Sequence, residues 1–162
     1  MDPEIISRMT VNWSYKPIES VRDHYKEDYL IPIIEQYSRD YDYHCSYIQN
    51  NATLNVLLPI GALRCVHTLQ EISHNQFLLL TADKAHSHED DLKLTKENPH
   101  LVTHGSFSFM TNFHAIREYV EHNGGCSYHT PYYSGLQVAA FVMGSMKLPE
   151  FRFSWEVSGI VE

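Results

Sequence analysis

Five residues in the middle of the chain have the types and spacing to act on a substrate: Asp83, His104, Ser106, Asn112 and His114. Asp83 follows the run Gln76-Phe77-Leu78-Leu79-Leu80-Thr81-Ala82, which reads as a strand covered on both faces and ending at a polar rim, Asp83-Lys84. In α/β sheets the crevice beyond the strand ends is where ligands bind. There, Asp83 or His104 can orient an acceptor or take its proton, while Ser106, Asn112 and His114 are candidate substrate contacts. His104 and Ser106 also prompt a hydrolase with serine as nucleophile and histidine as base. The Gly-x-Ser-x-Gly elbow is absent, and residues so close in sequence rarely face each other productively, so a positioning role is the better reading. Asp83 equally suits a turn and Asn112 a helix cap, because their short side chains bond nearby backbone N–H groups.

A second polar cluster, His86-Ser87-His88-Glu89-Asp90-Asp91, has metal-ligand residue types. A metal needs three or four converging ligands, and the better use is a helix start, with Ser87 as cap and the three acids near the positive end of the dipole. No metal site is expected. Leu92 and Leu94 would dock that helix. Cys45, Cys65 and Cys126 are odd in number and widely spaced, so they form neither a disulfide framework nor a zinc motif.

The elements that must position these residues follow from periodicity. Ile5-Ile6 and Trp13-Ser14-Tyr15 read as short extended pieces, and a helical pattern begins at Ser20. Tyr29 to Tyr37 is amphipathic, with Pro32 in its first turn, where its missing N–H costs little. Tyr41, Tyr43 and Tyr47 follow. Between Leu54 and His74, Ala62, Cys65, Val66, Leu69 and Ile72 form one apolar stripe, with Arg64, His67, Gln70 and Glu71 off it. Pro59 suits the first turn and Asn75 the end. Pro99 to His104 reads as a short strand at the sheet edge, and residues 112–120 as a helix stopped by Gly124-Gly125. Cys126 to Thr130, Leu136 to Met143 and Phe151 to Val157 read as strands, the last two as a C-terminal antiparallel hairpin. The chain thus divides into a Tyr-rich, mainly helical segment over 1–52 and an α/β part over 53–162.

With 162 residues, 43% hydrophobic and 20% charged, the sequence has the composition of one globular domain. A formal net charge of -8 without a basic patch argues against nucleic acid and anionic lipid as partners. No apolar run reaches the roughly 20 residues of a membrane span, and no signal segment opens the chain, so a cytoplasmic location is expected.

Leu58-Pro59-Ile60-Gly61-Ala62-Leu63-Arg64-Cys65, Phe77 to Lys84, His104-Gly105-Ser106-Phe107-Ser108, Asn112-Phe113-His114-Ala115 and Gly124-Gly125 together resemble the C-terminal half of a bacterial group of S-adenosylmethionine-dependent methyltransferase-like proteins. That group is distantly similar to the MidA family, whose mitochondrial relatives methylate a protein arginine. The resemblance implies part of a class I methyltransferase-like (Rossmann-like) sheet with flanking helices. In such a sheet the early strands and a glycine-rich turn hold the cofactor, and the later strands shape the substrate side. No glycine precedes Gly61, so the cofactor loop is missing and this chain alone is expected to bind no cofactor. The expected function is the substrate-side half of a methyltransferase-like domain, with a protein substrate or a complementing chain as partner. A non-catalytic interaction module on the same fold is the alternative. The edge left by missing strands invites self-association.

Overall fold

A computed structural model describes residues 4–14, 16, 19–37, 56–93, 99, 101–103, 106–130 and 136–145. Along the described chain come α1 (Val21–His24), α2 (31–37), α3 (Ile60–Ile72), β1 (Phe77–His86), α4 (Glu89–Lys93), β2 (Val102–Thr103), β3 (Phe107–Ser108), β4 (Thr111–Asn112), α5 (Phe113–His122), β5 (Cys126–His129) and β6 (Leu136–Met143). The result is a mixed α/β protein. Contacts group the chain into two units, Met1–Leu57 with Asp90–Met110, and Leu58–Glu89 with Thr111–Glu162.

In the first unit, the Ser20 hydroxyl accepts from the Arg22 backbone N–H at 3.3 Å and caps α1. α2 buries Ile31, Ile33, Ile34 and Tyr37 and leaves Pro32 exposed in its first turn, as the periodicity requires. Trp13 meets Phe109 edge to face, with ring centroids 6.0 Å apart. β2 and β3 form their own antiparallel ribbon, pairing Val102 with Ser108 and Thr103 with Phe107. The strand expected over Pro99 to His104 therefore does not join the edge of the main sheet. Only three residues separate the two strands, so local pairing carries little loop-closure entropy.

The second unit holds a four-stranded sheet in the order β4-β1-β6-β5. β6 is antiparallel to both β1 and β5, which makes those two parallel to each other with the last described strand inserted between them. β4 adds a short parallel pairing beside β1. α5 covers one face: Phe113 packs on Phe141 at 6.2 Å between ring centroids, and Ser127 donates to Glu121 at 2.7 Å, with Ser127 and Phe141 being register partners.

Three expectations change here. β1 does not stop at Ala82 but runs ten residues to His86, so Asp83 lies within the strand. A polar residue does not end a strand while a neighbouring backbone still offers partners, and Asp83 and Lys84 pair with Gln137 and Leu136 before β4 takes over at Ala85. Nor is β1 covered on both faces, for Leu78 and Leu80 are 42% and 61% exposed. In α3 the inward face is Leu63 and Val66, with His67 and Gln70 beside them, whereas Cys65 and Ile72 are exposed. The Tyr119 hydroxyl draws α3 round: it donates to Gln70 Oε1 at 2.9 Å and lies 2.8 Å from His67 Nδ1. One hydroxyl hydrogen serves one acceptor, so His67 Nδ1 is the donor in its contact. The third change concerns Ser87. Its hydroxyl is buried without a hydrogen-bond partner and caps nothing, while α4 begins two residues later with Leu92 docked as expected.

Helix ends behave as their residues dictate. Asn75 takes a left-handed φ of 61°, and its N–H closes on the Gln70 carbonyl at 2.8 Å. After α5, Gly124 adopts φ 82° and the Gly125 N–H reaches the Val120 carbonyl at 2.9 Å. Phe151 to Val157, Tyr41, Tyr43, Tyr47, Cys45 and Leu94 lie outside the described residues.

Candidate functional site

Asp83 sits exposed on β1, with both carboxyl oxygens engaged. Oδ1 accepts from the Lys84 N–H at 2.7 Å and Oδ2 from the Thr111 hydroxyl at 3.0 Å. The second bond ties β1 to β4, beside the residue that opens α5. That residue is Asn112, 2% exposed, whose Oδ1 accepts from the Ala115 N–H at 2.9 Å. Asn112 therefore caps the helix, and its side-chain oxygen is directed into α5. Two residues on, His114 is buried in the first turn. Its Nε2 stands 3.6 Å from Glu118 Oε1, the same oxygen that accepts from Arg117 Nη2 at 3.2 Å.

Burial holds the His114 ring below its ordinary pKa, helped by the Arg117 charge and opposed by Glu118 and Glu89. The same end of the sheet carries His129, at the end of β5, pushed down to about 4 by burial and then by Arg117, His88 and His114. Both rings are neutral near pH 7, so each can accept a proton or bond a polar ligand. Beside them on β6, Gln137 is fully buried with neither end of its amide hydrogen-bonded. Its register partner is Asp83, and His129 pairs one step along, with Ala139. Alternation along the strands puts Asp83, Gln137 and His129 on one face, the face under α5.

No family model, curated protein or solved structure matches the chain.

Asp83, Asn112 and His114 come together where β1, β4 and α5 meet. Ser106 is an exposed residue of the ribbon in the other unit, and His104 lies outside the described residues. Among the described residues no group of three or more His, Cys, Asp or Glu side chains is arranged to hold a metal ion. Sequence reasoning missed Arg117, His129 and Gln137. For Gln137 a signal was present: one polar residue in the otherwise apolar strand Leu136–Met143. His129 and Arg117 gave none, since only the pairing of β5 with β6 and the docking of α5 bring them to this end.

Proposed function

We propose that the chain is the substrate-side half of a methyltransferase-like domain, completed by a chain or segment that supplies the cofactor loop. One observation carries this reading: β6, the last described strand, lies antiparallel between β1 and β5, which are parallel to each other and joined through α5. In the sheet that the resemblance implies, the later strands shape the substrate side, and the ordered motifs of the sequence agree with that placement.

Among the described residues β1 ends at His86 and runs into Ser87-His88 rather than a glycine turn, and Gly61 is inside α3, which supports reading the cofactor loop as supplied from elsewhere. What the chain contributes is the acceptor side. Asp83, held by Thr111, aligns an acceptor group or takes its proton, while the neutral His114 sits in the first turn of α5, the helix that follows Thr111-Asn112. Calorimetry of the isolated chain with S-adenosylmethionine is expected to give no binding; a micromolar dissociation constant would overturn the half-domain reading. Co-expression with a neighbouring reading frame that encodes a buried strand and glycine-rich turn is expected to restore binding.

A second reading, a non-catalytic interaction module, draws on the apolar sheet face where Leu78, Leu80 and Leu136 are exposed. Methyl transfer by the reconstituted pair, lost in Asp83→Asn, would exclude it.

A further inference from the structure

Four residues at one end of the sheet face under α5 hold six buried polar atoms without hydrogen-bond partners: Ser87 Oγ, Arg117 Nε, both ring nitrogens of His129 and both amide atoms of Gln137. A folded domain of this size tolerates only a few such atoms, and scattered ones reflect local strain or water. These are not scattered. Ser87 follows the C-terminal end of β1, His129 is the C-terminal end of β5, and Gln137 is near the N-terminal end of the antiparallel β6. The three strand ends coincide, and α5, which packs on β5 and β6, carries Arg117 with its Nε buried.

The atoms have a shared chemistry. Ser87, Gln137, Arg117 and the neutral His129 ring offer an O–H or N–H each, and the Arg117 guanidinium adds charge beyond its Nη2 bond to Glu118. After burial, the groups that lower the His129 pKa are Arg117, His88 and His114. Asp83 stands one strand away, exposed, with both oxygens already bonded.

We propose that this end of the sheet binds a small carboxylate, whose oxygens accept from Gln137 Nε2, Arg117 Nε, a His129 ring nitrogen and the Ser87 hydroxyl. A planar anion with two oxygens satisfies several converging donors at once, which a neutral amide does not. The site lies beside Asp83, the register partner of Gln137, and does not depend on the methyltransferase reading.

The test is a titration of the full chain followed by the histidine C2–H resonances, that of His129 being the one missing from His129→Asn. In chloride its midpoint is expected at about 4, where burial holds the ring. Sodium acetate or acetylglycine at equal ionic strength is expected to raise it by about one unit or more, because an adjacent opposite charge favours the protonated ring. Acetamide is expected to leave it in place. With each ligand compared at equal concentration of its ionised form, a larger effect of acetylglycine assigns the carboxylate to a peptide end, and a larger effect of acetate assigns it to a free small acid; both support the site. Gln137→Leu, which keeps the bulk and removes the amide, is expected to weaken the acetate effect at least about tenfold, the loss of one charge-assisted bond. If neither carboxylate moves the resonance, or acetamide moves it equally, the orphaned atoms are satisfied by water alone and the proposal is wrong. The wild-type comparison decides the matter even where the variant does not fold.

Discussion

Single atoms decide most at the two ends of α5. Asn112 supplies the cap from a buried position, and Asn112→Ala is expected to lower unfolding free energy by about 1 to 2 kcal/mol in urea denaturation, with Asn112→Asp close to wild type. At the other end the two glycines differ. Gly124 has a left-handed φ but open space around it, so alanine there meets only backbone strain of about 1 kcal/mol. Gly125 has no room: an added Cβ would lie 2.5 Å from the Val142 carbonyl oxygen and 2.6 Å from Val120 Cγ1, and it would also strike Met143 Sδ. Gly125→Ala is expected to be the more damaging, by about 2 kcal/mol or more, since a backbone oxygen cannot step aside. Equal midpoints for the two variants would contradict this.

The elements explain why residues of one type have unequal weight. In α3, Leu63 is fully buried and Ile72 is 70% exposed, although both lie in the same apolar helix. Leu63→Ala is expected to cost about 2 to 5 kcal/mol and Ile72→Ala under about 0.5 kcal/mol, measured by chemical denaturation. The packing of α5 over β5 also makes stability depend on pH. His129 is held neutral, with its pKa lowered from 6.5 to about 4, and His114 is lowered in the same direction. Below 6.5 the unfolded chain takes up protons that the folded rings refuse, so stability is full above that value and is lost as pH falls toward 4. Denaturation across that window should show the loss, and His129→Phe, which keeps a ring against Phe141, is expected to flatten it.

Across the whole molecule, charge and apolar surface act in opposite senses. The net charge of -8 keeps chains apart, while Leu78, Leu80 and Leu136 leave apolar surface on one sheet face. Leu80→Lys is expected to reduce light scattering of concentrated protein at raised ionic strength, where repulsion is screened, with stability changed by no more than about 0.5 kcal/mol. Among the described residues no helix is long and apolar enough to cross a membrane. Much of this architecture is legible in the residues themselves. The strand Leu136–Met143 follows from its apolar run, α5 from its Asn112 cap and glycine stop, and the turn after α3 from Asn75, because propensity and capping act within a few residues. Other features are decided over longer range. Whether β1 ends at Asp83 depends on what β6 and β4 offer as partners, and the face that α3 buries depends on a hydroxyl from Tyr119, 49 residues beyond Gln70. The polar end where Gln137, His129 and Arg117 meet depends on β6 entering between two earlier strands. Local sequence determined α3, α5, β5 and β6, though not the 3-10 turn at Ile6–Arg8 that it suggested was extended; tertiary structure alone decided which polar side chains share a site, since register and docking join residues that no spacing connects.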